Sequence, residues 1–82
     1  MNKTCFNNYR FEVYRSKADW EKCGEQIHNF PVSKNWYGIT EKGAEDIVLG
    51  IAIGLRAKYT HPFVVLYRVE ENGKETLIRT QQ

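Results

Sequence analysis

Residues 63–80, FVVLYRVEENGKETLIRT, contain two runs suited to β-strands on either side of the pair Asn72 and Gly73. The first run, 63–70, is apolar and rich in β-branched residues, and the second run covers 75–80. An Asn-Gly pair between two such runs is the strongest short-range signal for a β-hairpin, with the pair at the two positive-φ positions of a type I′ turn. The stretch therefore predicts an antiparallel hairpin.

A further strand is predicted at 9–15, YRFEVYR, near the beginning of the chain. Phe11 and Val13 alternate there with charged residues and tyrosine, which is the period-2 pattern of a strand with one buried face. We expect Phe11 and Val13 to face the helices of the domain. The side chains that then face the other way are Arg10, Glu12 and Tyr14.

A short helix is predicted to follow over 17–27. Ser16 is placed to cap it, and Asp19, three residues later, is placed to reach back as in a capping box. The helix is expected to end before Pro31, because the residue preceding a proline is disfavoured in the α region. The residues expected on its buried stripe are Trp20, Cys23, Gly24 and Ile27.

A second helix is predicted from Glu41 or Ala44 to Lys58, and it contains the most apolar stretch of the chain, IVLGIAIGL at 47–55. Acidic residues near its amino end and basic residues near its carboxyl end suit the helix dipole. At about 100° per residue, one broad apolar stripe would lie on the sheet. It consists of Ala44, Ile47, Val48, Ile51, Leu55 and Tyr59.

The predicted order is strand, helix, connection, helix and hairpin, where the connection at 32–43 contains at most one strand, at the sequence WYGI. This order predicts an α+β fold, β-α-(β)-α-β-β, with two helices on one face of a small antiparallel sheet. A chain of 82 residues forms a single domain, 1–82, near the lower size limit for one hydrophobic core.

Two glycines, Gly50 and Gly54, interrupt the apolar second helix. A narrower apolar stripe lies beside them and consists of Leu49, Ile53 and Ala57. A glycine inside a helix costs about 0.5 to 1 kcal/mol relative to alanine, so two of them predict a close approach by another element. Either the first helix fills this groove through Gly24, or the groove is an intermolecular contact with a second copy or with a partner's side chain.

Several classes of function find no support in the sequence. The formal charge of +2 is too weak to indicate nucleic-acid binding by itself. The longest apolar run is far shorter than the roughly 20 residues that span a bilayer, and no signal peptide is recognisable, so a cytoplasmic protein without a membrane segment is expected. No catalytic or cofactor motif is present, and Cys5, Cys23, His28 and His61 lack the close-pair spacing of a zinc site. We therefore expect no enzyme activity, cofactor or metal.

Two surfaces are candidates for binding a partner. A protein partner would be held by an aromatic pair and the narrow helix stripe, through Trp36, Tyr37, Leu49 and Ile53. As an alternative, the aromatic pair folds back over the edge of the core. An RNA partner would be held by arginine and tyrosine on the open sheet face, through Arg10, Tyr14, Arg68 and Arg79.

In its organisation the chain resembles the small accessory proteins with which tailed bacteriophages carry out host takeover and counter-defence, among them CRISPR inhibitors and toxin antagonists. The shared features are a single domain that starts at Met1, short termini, a charged surface, and a helix followed by the hairpin of 63–80. The resemblance implies stoichiometric inhibition of a host protein, or binding to RNA, in the host cytoplasm. Separately, so short a chain gains most by burying Leu49 and Ile53 against a copy of itself, which predicts a homodimer through the second helix.

Overall fold

A computed structural model describes residues 6–27 and 33–82. In these residues the elements are, in chain order, β1 (Asn7–Tyr14), α1 (Lys17–Glu21), β2 (Asn35–Ile39), α2 (Glu41–Leu55), β3 (Phe63–Val69) and β4 (Glu75–Gln81). The strands form one antiparallel sheet in the order β2-β1-β3-β4. The predicted α+β class, the antiparallel sheet and the element order are confirmed, and the connection at 32–43 does contain a strand.

The alternation of side chains divides the sheet into two sides. On the α2 side, Phe11 and Leu66 lie opposite each other in the register of β1 and β3, and both are buried in one cluster with Val48 of α2. The other side, which we call the far side, carries Arg10, Glu12 and Tyr14 of β1 and Phe63, Val65 and Tyr67 of β3. The predicted orientation of β1 is therefore confirmed.

α2 begins after Thr40, whose Oγ1 caps the helix by accepting a hydrogen bond from the backbone N–H of Gly43 at 3.0 Å. Its buried residues are Ala44, Val48, Ile51 and Ala52. The predicted stripe is correct except at Ile47, which is exposed because it lies about a quarter of a turn from the centre of this face. Neither α1 nor α2, the helices of the described part of the chain, has the length and apolar character of a membrane span.

α1 ends at Glu21, well before the predicted end of the first helix. Ser16 caps it as predicted, with Oγ accepting from the N–H of Asp19 at 3.2 Å. The chain then turns sharply, since Cys23 adopts a φ of 55° and the N–H of Gly24 donates to the carbonyl of Asp19 at 2.7 Å. A Cβ at Gly24 would lie 2.9 Å from that carbonyl oxygen. This glycine therefore serves the turn, and the predicted helical stripe through Cys23 and Gly24 is wrong.

α1 does not reach the groove of α2. Its Trp20 packs on the far side of the sheet against Phe63, with ring centroids 5.2 Å apart. The prediction that both helices lie on one face of the sheet is therefore wrong, because α2 packs on the opposite side. In the described part of the chain, no other element lies within 4 Å of a Cβ built at Gly50 or Gly54. The prediction that the first helix fills this groove is wrong, because α1 has only five residues and the chain turns away at Cys23.

The hairpin joins β3 to β4 as predicted, but its turn is not type I′. The N–H of Gly73 donates to the carbonyl of Glu70 at 2.9 Å, so Glu71 and Asn72 occupy the central positions. Gly73 has a φ of 85°, whereas Asn72 has a negative φ. This is the pattern of a three-residue loop in which a type I turn is followed by a left-handed glycine.

Candidate protein-binding surface

From Ile47 onward, the part of α2 that the sheet does not cover is apolar and exposed. We call it the outer face of α2 and define it by Ile47, Leu49, Gly50, Ile53 and Gly54. Ile47 and Leu49 are each 40% exposed, and Ile53 is 54% exposed. This face exists because α2 carries apolar residues around most of its circumference, while the sheet covers only one stripe of them. Exposed aliphatic side chains that are grouped in this way are typical of a protein contact surface.

The two glycines form the floor of a shallow groove on this face. Gly50 and Gly54 lie one turn apart, between Ile47 on one flank and Leu49 with Ile53 on the other. Both glycines are exposed, and the space above each is open in the described structure. A partner helix or side chain can therefore approach the backbone of α2 closely at this point.

Charged side chains flank the outer face and differ in sign along the helix. Asp46 lies in the first half of α2 and pairs with Lys42, Nζ to Oδ2, at 3.7 Å, where both side chains are well exposed. Arg56 follows directly after the helix and donates from Nη2 to the carbonyl oxygen of Gln82 at 2.9 Å. Both contacts are exposed, so they compete weakly with a partner's charges.

The predicted protein-binding residues divide between two places. Leu49 and Ile53 lie together on the outer face of α2. Trp36 lies on β2, half-buried, and its ring packs against Phe11 with centroids 4.7 Å apart. The alternative, in which the aromatic pair folds back over the edge of the core, therefore holds for Trp36 but not for Tyr37. Tyr37 beside it is 75% exposed.

Arg10 is held on the far side by two carboxylates. Its Nε and Nη2 donate to both oxygens of Glu75 at 2.6 and 2.7 Å, and its Nη1 donates to Oε2 of Glu12 at 2.6 Å. The guanidinium also lies 4.6 Å from the centre of the Tyr67 ring. The hydrogen bond with Glu75 is the largest cause that raises the pKa of Arg10. Three nitrogen atoms of this side chain are thus already paired inside the protein.

Tyr14 belongs to the same network, because its hydroxyl donates to Oε1 of Glu12 at 2.8 Å. Burial raises the pKa of Tyr14, and the hydrogen bond to Glu12 raises it further. This network joins residues far apart in the chain. The alternation on β1 predicted that Glu12 shares a face with Arg10, but nothing in the sequence indicated Glu75. A strand pattern identifies which side chains share a face but not which of them pair.

The other two predicted RNA-binding residues lie on the α2 side of the sheet. Arg68 is opposite buried Tyr9 in the register, and its Nε donates to Glu70 at 3.1 Å. Nη1 of Arg79 lies 4.0 Å from a carboxylate oxygen of Glu45 on α2. The structure therefore divides the predicted RNA-binding set between two sides.

A β-bulge opposite Leu66 and Tyr67 changes the alternation along β4, and the sequence gives no sign of it.

Within residues 6–27 and 33–82, no group of three or more potential ligands is placed to hold a metal ion. Cys5 and His28, two of the zinc ligands considered from the sequence, lie outside the described residues. The expected absence of a metal, a cofactor and catalysis stays a prediction.

No protein-family model matches this chain, and no curated protein or solved structure matches it.

Proposed function

We propose that this protein is a non-enzymatic binding module that acts by stoichiometric contact with another protein through the outer face of α2. The observation that carries the proposal is the exposure of three aliphatic side chains, Ile47, Leu49 and Ile53, around an open glycine groove. As the target we propose a host factor in the host cytoplasm, which is what the organisation shared with phage counter-defence proteins implies.

The way α2 is held favours a contact of this kind. The helix is capped by Thr40 at its start, and four residues of its inner face are buried against the sheet. A helix fixed in this manner loses little conformational entropy when it binds a partner. Its aliphatic side chains can therefore contribute most of their burial energy to the complex.

RNA binding stays the alternative prediction, with less support from the geometry. Arg10 is paired with Glu12 and Glu75, so a phosphate would have to displace carboxylates that already hold the guanidinium in place. Arg68 and Arg79 point to the other side of the sheet and cannot extend the same surface.

The proposal is tested by capture of targets from host lysate with immobilised protein, with and without nuclease. Ile53→Lys places a charge in the centre of the outer face and should abolish capture of the target. Leu77→Lys is the matched control, since Leu77 is 49% exposed and lies opposite Tyr67 on the far side. It should capture the target as the wild type does.

Two results would contradict the proposal. One is a target that Ile53→Lys binds as well as the wild type does, because the outer face of α2 would then play no part. The other is capture that nuclease removes and that weakens steeply with salt, since this indicates phosphate contacts and supports the RNA alternative.

A further inference from the structure

We infer that a second copy of the chain covers the outer face of α2 in the free protein, with the two α2 helices antiparallel. The inference goes beyond the proposed function, because it places a second occupant on the same face. The contact is closed by a twofold axis, so each copy presents the same residues to the other.

The direction of the pairing follows from charge. Asp46, Leu49, Ile53 and Arg56 follow each other at spacings of three and four residues, so they form one ridge along α2 and its end. When two such ridges run antiparallel about an axis level with Ile51, Asp46 of one copy lies level with Arg56 of the other. Leu49 lies level with Ile53 in the same arrangement.

A parallel arrangement would instead set Asp46 beside Asp46 and Arg56 beside Arg56, which is electrostatically unfavourable. The helix dipoles also oppose a parallel pair and favour an antiparallel one. The charges of this face are therefore complementary to the same face in a reversed copy.

Gly50 supplies space for such a pair, because it lies beside this ridge and carries no side chain. Two helices can therefore approach there to the short end of the usual range, about 8 Å between axes. At that separation Ile53 can pack against the backbone of the other copy. The cost of glycine relative to alanine inside a lone helix is then offset by the contact.

The test is the mass of the protein in solution, measured by sedimentation equilibrium over a wide concentration range. The wild type should approach twice its chain mass of 9.6 kDa. Asp46→Lys and Arg56→Asp should each raise the Kd of the dimer about tenfold, because each places two like-charge pairs in the symmetric contact. The double variant should return the Kd to within about threefold of the wild type, since the pairs are restored with reversed sign.

The control for these variants is Lys74→Glu, an equal charge reversal in the exposed turn between β3 and β4. It should leave the Kd of the dimer unchanged. A wild type that keeps a mass of 9.6 kDa at every concentration overturns the inference. So does a double variant that dimerises more weakly than either single variant, because the helices would then not be antiparallel.

Gly50→Leu tests the close approach separately. It should shift the mass towards that of a single chain while the far-UV circular dichroism of the wild type is retained, because the side chain has open space in the monomer. A Gly50→Leu variant that dimerises as the wild type does overturns the inference.

The inference and the proposed function fail in different ways. A monomeric wild type that still captures a target through Ile53 overturns the dimer and supports the proposed function. A dimer that responds to the charge variants as expected, while no target is captured from lysate, supports the dimer and contradicts the proposed target. If both hold, the target and the second copy compete for one face, so target binding should weaken as the protein concentration rises.

Discussion

On the α2 side of the sheet, Phe11 and Val13 are buried among aliphatic side chains, whereas on the far side their neighbours Arg10 and Glu12 hold each other in an ion pair. Both sides arise from one alternating strand. The α2 side gains stability from apolar burial, and the far side satisfies its charges within the protein. A row of charged side chains on a strand is thus not by itself a surface that is available to a partner.

The largest expected effect lies on the α2 side. Phe11→Ala removes a ring that is almost fully buried and packs against Trp36, so it should lower the free energy of unfolding by about 3 to 5 kcal/mol. Urea denaturation followed by circular dichroism measures this. Leu77→Ala, on the far side, should cost under about 1 kcal/mol because this side chain is half exposed. Equal losses in the two variants would mean that the two sides do not differ as described.

The division of the sheet into an apolar side and a charged side was predictable from the sequence, because successive side chains of a strand point to opposite faces. On β1, Phe11 and Val13 alternate with charged residues and tyrosine, and the face of each side chain follows from its position in the strand. The inner stripe of α2 was predictable for the corresponding reason, with Ile47 as the exception. The turn type was not predictable, because an Asn-Gly pair fits both a two-residue and a three-residue loop. The pairing of Arg10 with Glu75 was not predictable, because the two residues are 65 positions apart in the chain.

The second prediction concerns the register that keeps the two sides distinct. Gly73 holds a φ of 85° in the turn, and its conformation sets how β3 meets β4. Gly73→Val should lower the free energy of unfolding by about 1 to 2 kcal/mol, because a β-branched residue is strained in the left-handed region. Thermal denaturation measures the effect, with Lys74→Ala, one residue later, as the control variant. An unchanged melting temperature would show that the turn tolerates a side chain at this position.

The candidate site was predictable only in part. Leu49 and Ile53 could be assigned to a surface stripe because the helical period separates them from the buried one. What fills the groove beside them could not be predicted, because that depends on how far the first helix extends. Gly24 permits a tight approach to the carbonyl of Asp19, and the sequence does not distinguish such a turn from a helix–helix contact.

The third prediction tests the far-side network through Tyr14. Tyr14→Phe removes the hydroxyl that donates to Glu12 and keeps the ring, so it should lower the free energy of unfolding by about 0.5 to 1.5 kcal/mol. Urea denaturation at neutral pH measures the difference, with Tyr37→Phe as the control because that side chain is exposed. If the two variants are equally stable, the hydrogen bond from Tyr14 to Glu12 contributes nothing measurable to the stability of the far side.

The smallest effect is expected at Glu75, at the edge of the far-side network. It appears in the pH dependence of the free energy of unfolding. The hydrogen bond from Arg10 lowers the pKa of Glu75, so the folded state favours the carboxylate more than the unfolded state does. A lowered pKa in the folded state contributes stability that is complete above the unfolded pKa, near 4.5, and is lost as the pH falls through the folded value.

Glu75→Gln removes this contribution. We therefore expect the wild type to be slightly more stable than the variant at pH 7 and the difference to shrink as the pH falls below about 4.5. The effect is small because Glu75 is exposed and its attraction to Arg10 is screened by solvent and salt. Denaturation curves of both proteins at pH 7 and pH 3 measure it, and Glu71→Gln in the neighbouring turn serves as the control. A difference that grows as the pH falls would contradict the direction of the Glu75 pKa shift and, with it, the ion pair that distinguishes the far side from the α2 side.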